Sequence, residues 1–201
     1  MTTRRAWLEA VHLLALAAWL AMLATAAIGA SIIFPAMREA KASAPNYPAY
    51  PAEMWRLVGG LAASPIFFFT AKVQAWCGLV AVFSFLGVLA SGLTPKSFVG
   101  AARLLTLLVA SGTLAYYTHG YMPRMHEQFH ALRDASTDAA RTEEAAAVQR
   151  RFDDAHRLGS PLISTMGVAM MVALVLVPIS MRRVGACACG RATKCESDHV
   201  A

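Results

Sequence analysis

Four stretches of this sequence, 7–34, 66–93, 99–121 and 158–181, carry few charges and are each long enough to cross a bilayer, which takes about 20 apolar residues in a helix. A soluble domain of 201 residues has too few interior positions for a composition that is 57% hydrophobic and 15% charged, so lipid is the solvent these runs imply. The fold class expected is all-α: a polytopic membrane protein with a four-transmembrane-helix bundle and a helical extramembrane loop between helices three and four. Residues 1–181 form that domain, and 182–201 read as a flexible, cysteine-containing tail. Pro35, Pro95 and Pro123 stand just past the ends of runs, where a residue without an N–H is tolerated.

The segment TTRRAWLEA resembles a twin-arginine export signal, and Ala24-Thr25-Ala26 a cleavage site. The apolar run continues beyond the roughly 7–15 residues of a signal core and carries Trp19, so a retained first helix is expected. Lysine and arginine in the connecting segments set orientation. With the N-terminus inside, the cytoplasmic stretches are short and carry Arg4, Arg5, Lys96, Arg103, Arg182, Arg183, Arg191 and Lys194. The other side has Arg38, Lys41, Arg56 and a long third loop whose six arginines are offset by seven acids. Counted per length, the bias favours a bacterial inner membrane with both termini cytoplasmic. The net charge of +6 is then partly a topology signal, and no basic run interleaved with aromatics points to nucleic acid. The partners expected are the lipid bilayer and either a second copy or other subunits of a membrane complex.

Helix one is crowded with small residues, among them Ala15, Ala18, Ala21, Ala26, Gly29 and Ala30, which let helix backbones approach closely in lipid. His12 and Trp19, seven apart, share a face. Two roles compete for His12: a haem or metal ligand or proton carrier, and a histidine bonded to a neighbouring helix. In the first loop, Tyr47, Tyr50 and Trp55 suit the headgroup layer, and residues 53–63 read as a short interfacial helix. Lys72 in helix two can snorkel to the headgroups, and Cys77 reads as packing.

The third loop carries the sharpest motif, His126-Glu127-Gln128-Phe129-His130, which fits the zinc-protease pattern H-E-x-x-H. On a helix the two histidines project the same way, and Glu127 would act as general base on a metal-bound water. Helices three and four end on one side of the membrane, so His119, His156, Asp153 and Asp154 share that side. His126, His130 and His156 with Asp153 or Asp154 therefore make a candidate set for zinc or copper. Against it, Met125, Phe129 and Leu132 recur at i, i+4, i+7, the stripe of an amphipathic helix lying on lipid or on the bundle. The stretch 134–155 should be helical and wet, with Ser136 or Thr137 as N-cap. The tail offers Cys187, Cys189, Cys195 and His199, soft ligands for zinc or copper(I), though one residue between the first two cysteines is fewer than structural zinc sites usually have. Incidental cysteines explain the same residues.

VHLLALAAWLAM in helix one, Phe34-Pro35, MPRM after helix three and RFDDAHRLGSPL entering helix four resemble the transmembrane protein 205-like family. The resemblance runs from Val11 to Ile179 and implies a four-span membrane domain without an assigned activity. Its matching positions are His12, Trp19, Pro123, Phe152, His156 and Ser160. More distantly, the histidine and tryptophan of helix one are similar to those of copper-resistance protein D-like membrane proteins, which implies haem or copper association and makes His12 and His156 cofactor-binding candidates. His126, Glu127, His130 and the tail cysteines lie outside the resemblance. The function expected is a non-catalytic binding or accessory bundle with a histidine-based metal or haem association; the rivals are a membrane zinc hydrolase and a structural subunit.

Overall fold

The computed structural model describes residues 3–93 and 97–197, with side-chain surroundings through residue 181. Helix α1 spans Thr3–Glu39, α2 Met54–Ala90 and α3 Phe98–Tyr116. A π-helical turn, Tyr117–Tyr121, joins α3 to α4, Met122–Ser136. A 3-10 turn at Ala139–Arg141 leads to α5, Thr142–His156, and α6 covers Gly159–Ser197. Among the described residues there is no strand, and four helical rods are long and apolar enough to cross a membrane. The protein is a multi-pass, all-α four-helix bundle in contact with lipid.

The bundle is written in the spacing of its buried residues. On α1 these include Arg5, Glu9, His12, Leu16, Trp19, Leu23 and Ala26, alternating steps of four and three. On α3 they include Gly100, Arg103, Leu107, Ala110 and Leu114, and on α6 Met166, Met170, Ala173, Val177 and Ser180, with the same rhythm. A 3.5-residue period keeps one seam facing the partners in left-handed, nearly antiparallel packing. Leu8 meets Gly87, Gly29 meets Ile66 and Phe34 meets Gly59, the register of two antiparallel helices. Helix α1 packs chiefly on α2 and also on α6, and α3 packs chiefly on α6. The outward faces keep Leu14, Ile28, Phe83, Leu105 and Val175 exposed, as lipid requires.

The π turn has a packing reason. The seam runs through Leu114, Tyr117 and Tyr121 to Met125, one residue more than the alternation allows. Met122 N–H donates to Tyr117 O, an i to i−5 step that absorbs the extra residue and returns Met125 and Leu132 to the buried side. Helix α4 therefore continues the rod of α3, and its apolar stripe lies on the bundle rather than on lipid. Phe129 borders Gly60 of α2, and its ring is 6.0 Å from that of Phe152 on α5.

Three local expectations are corrected. Pro35 lies inside α1, and the stretch from Glu53 onward is no separate interfacial helix: α2 starts at Met54 and passes through Pro65. Neighbouring packing carries the helix over the missing N–H. Ser136 and Thr137 end α4 instead of capping the next helix, their hydroxyls donating to Leu132 O and Asp134 O at 2.7 Å each. The capping acceptor is Asp138, whose Oδ1 takes the Ala140 N–H at 2.9 Å. The first loop folds onto the α4–α5 hairpin, with Ala49 N–H donating to Ser136 O at 3.1 Å and Ala49, Ala135 and Ala145 packed together.

Candidate functional site

Polar groups concentrate at the two ends of the bundle. At the end where α1 begins, the seam positions Glu9 and Arg103 meet. Arg103 Nη1 donates to Glu9 Oε1 at 3.0 Å and Nη2 to Oε2 at 2.7 Å, a bidentate pair whose side chains are each 1% exposed. Nη1 also donates to Ser180 Oγ at 2.7 Å, and Ser180 in turn donates to Val177 O. The Arg103 guanidinium lies 5.3 Å from the centre of the Phe85 ring. All four rods thus contribute a residue. Planar guanidinium matches carboxylate geometry, so each charge is neutralised by the other where water is excluded. Arg5, one turn before Glu9 and also buried, adds a second cation.

His12 follows on the same face, 2% exposed. Its Nδ1 is 2.9 Å from Ala81 O, which makes that nitrogen the donor, and Ser84 Oγ lies 3.4 Å from it. Its ring sits 5.4 Å from that of Phe85. The arrangement is that of a histidine bonded to a neighbouring helix, and a haem on its other nitrogen would have to displace this packed core. Arg5 and Arg103, read from sequence as cations of cytoplasmic stretches, are buried in the bundle and carry no topology information there.

The opposite end holds the histidine motif. His126 lies 23 positions beyond Arg103 on a nearly continuous rod, ~35 Å at 1.5 Å per residue. His12 and His156, on α5 beside α4, therefore cannot share one ligand within a subunit. His126 and His130 are exposed, with ring centres 4.3 Å apart, and Phe68 of α2 meets His126 edge-on at 5.0 Å. Glu127 is exposed between them. His156 stacks on Phe152 at 5.7 Å, and Asp153 accepts from Gln149 Nε2 at 2.8 Å. Among the described residues no group of three or more His, Cys, Asp or Glu is gathered to hold a metal ion. Two imidazoles one turn apart supply half the ligands that a four-coordinate zinc takes. The side chains of Cys187, Cys189 and Cys195, and all of His199, lie outside the described residues.

Tyr50 marks how closely loop and hairpin approach at this end. Burial pushes its phenol up to about 12, Arg56 opposes that rise and Asp153 adds to it. The unfolded chain ionises near the ordinary value of 10.0, so the stability linked to Tyr50 is intact below that pH and is lost as pH rises toward about 12. A near-ultraviolet titration of wild type beside Tyr50→Phe should differ by one phenolate appearing near pH 12. A difference centred at the ordinary value would contradict the placement.

Sequence reasoning gave Glu9, Ser84 and Ser180 no role and read Arg103 as a topology cation rather than as a buried partner. The available signal was an ionisable residue within a span, at the 3–4 spacing shared with His12 and Trp19 on α1 and with Leu107 on α3. No protein-family model, curated protein or solved structure matches the chain.

Proposed function

We propose that this is an accessory bundle of the bacterial inner membrane, of the transmembrane protein 205-like kind and with both termini cytoplasmic, which binds a metal at its α4 histidines and does not turn over a substrate. The observation that carries the reading is the pairing of two exposed imidazoles, His126 and His130, with ring centres 4.3 Å apart. Imidazoles in this arrangement suit zinc or copper(II), which take nitrogen ligands readily. The buried Glu9–Arg103 pair serves the fold instead, because mutually neutralised charges inside a bundle set helix register, the best-attested use of buried polar groups.

Metal titration of detergent-purified protein tests the reading. Wild type should bind one zinc or copper per chain, and His126→Ala/His130→Ala should bind at least about tenfold more weakly, since outer-shell changes alone cost that much. Equal binding by both proteins would remove the site. A hydrolase reading is favoured by one feature, Glu127 following His126 on the same unbroken helix, where a general base stands in the H-E-x-x-H pattern. It needs a third ligand from His156, Asp153 or Asp154 and predicts metal-dependent peptide hydrolysis lost in Glu127→Gln. The accessory reading predicts no turnover in either protein.

A further inference from the structure

The end of the bundle at which α1 begins is short of negative charge. The stretches that form it, 1–12, 85–106 and 178–190, hold six arginines and lysines but one acid, Glu9. That acid is taken, since Arg103 binds both of its oxygens. Arg5 is left over. It is 9% exposed, its Nε is sealed from solvent without an acceptor, and no ion pair reaches it among the described residues. A cation withdrawn from water and left unpaired is costly, so this position calls for a partner from outside the chain.

Helix register gives what stands across from Arg5. Helices α1 and α3 run in the same direction: Glu9 meets Arg103, and further along Trp19 and Leu114 both stand against Gly78. One turn back along each helix, Arg5 comes level with Val99, and both lie on the inward seams. Val99 belongs to the first turn of α3. Ser97 Oγ caps the Gly100 N–H at 3.1 Å, which leaves the Phe98 and Val99 amides without an acceptor among the described residues. Open first-turn amides carry the positive end of the helix dipole. Arg103 Nε, one turn deeper, is a further buried N–H with no acceptor. The unpaired groups facing this mouth are all donors.

Depth narrows the anion. The exposed apolar face of α1 runs from Trp7 to Ile28, a rise of ~32 Å at 1.5 Å per residue, close to the ~30 Å of hydrocarbon. By the same register Ile32, a turn beyond, is already level with exposed Glu127. Arg5 lies two residues outside Trp7, ~3 Å, and so within a headgroup layer of roughly 5–8 Å. Phosphate is the anion of that layer, and a guanidinium level with a helix N-terminus is a donor set that suits it. We propose that Arg5 and the first turn of α3 form a phosphate-binding site, with the guanidinium and the Phe98 and Val99 amides donating to one phosphate group. That group comes from an anionic lipid headgroup or from a soluble phosphate.

Thermal unfolding of the full chain in detergent tests this, with inorganic phosphate, phosphatidylglycerol and, as a phosphate-free lipid, diacylglycerol as probes. Wild type should melt at a higher temperature with one of the phosphate probes than with diacylglycerol or with chloride at equal ionic strength. A rise with inorganic phosphate assigns a soluble ligand, and a rise confined to phosphatidylglycerol assigns the headgroup. Arg5→Met should raise the dissociation constant of that probe at least about tenfold. Without any probe its melting temperature should be no lower than that of wild type, because the substitution removes a buried charge that has no partner. Arg4→Ala, at an exposed position one residue earlier, should bind as wild type does. No rise with either phosphate probe, an unchanged dissociation constant in Arg5→Met, or an equal loss in Arg4→Ala would overturn the site. A lower melting temperature in probe-free Arg5→Met would show a partner within the chain and overturn it as well. None of these readouts involves His126 or His130.

Discussion

Replacing Arg103 by alanine is expected to destabilise the bundle by about 3–5 kcal/mol, a large share of the roughly 5–15 kcal/mol that holds a domain folded. The substitution leaves Glu9, 1% exposed, as an uncompensated carboxylate between α1, α3 and α6, and strips Ser180 of its guanidinium donor. The loss comes from the charge left behind more than from any surplus attraction in the pair. Lipid sharpens this contrast, since neither water nor a flexible loop is available to the orphaned group. A double replacement by apolar residues of similar volume, Glu9→Leu/Arg103→Met, should accordingly fold as well as wild type or better, by about 1–4 kcal/mol. Equilibrium unfolding in mixed micelles measures both. A cost below about 1 kcal/mol for Arg103→Ala would mean that water reaches the pair, as at a surface.

Trp19→Ala should cost a similar amount, about 3–5 kcal/mol, by a different route. The indole is 0% exposed and lies in one cluster with Leu16, Leu114, Met166 and Met170. Gly78 lies against the same cluster: a Cβ there would stand 2.8 Å from Leu114 Cδ2, which would have to shift, and 3.4 Å from the six-membered ring of Trp19, in van der Waals contact. Trp19 Nε1 is buried without a hydrogen-bond partner, so the substitution forfeits packing and no hydrogen bond. Trp19→Phe should cost less than about 1.5 kcal/mol, because it keeps most of the contact and removes the unpartnered N–H. Stability unchanged in Trp19→Ala would place the side chain on the lipid face and break the seam along α1.

The spans were legible because hydrocarbon imposes length and composition directly. Residues 7–34, 66–93, 99–121 and 158–181 fall inside observed helices apart from 91–93 and 158, which sit at helix ends. Those ends were harder to read, since Pro35 and Pro123 look like boundaries and the helical rods pass through both. Proline punctuates helices whose alternative is solvated coil, and packing on a neighbour removes that alternative. The motif at His126 was visible and its two rings do sit together, because i, i+4 spacing is a local property of any helix. Glu9 with Arg103 was hidden for the opposite reason. The two are 94 residues apart, and a hydropathy window tolerates one charge without asking what it faces. Arg103 looked like a positive-inside signal, which it would be on a loop; only the register with Leu107, Ala110 and Leu114 places it inward.

Glu9 and Arg103 must be each other's partner within the membrane-embedded bundle for its four rods to pack in this register, and a double-mutant cycle in lipid nanodiscs measures that directly. With Glu9→Gln, Arg103→Gln and the pair combined, the coupling energy should fall in the range of about 1.5–7 kcal/mol found for close charge pairs. A coupling no larger than the roughly 0.2–1 kcal/mol of exposed ion pairs would show that the two charges do not meet inside the bundle, and the packing described for α1, α3 and α6 would be wrong.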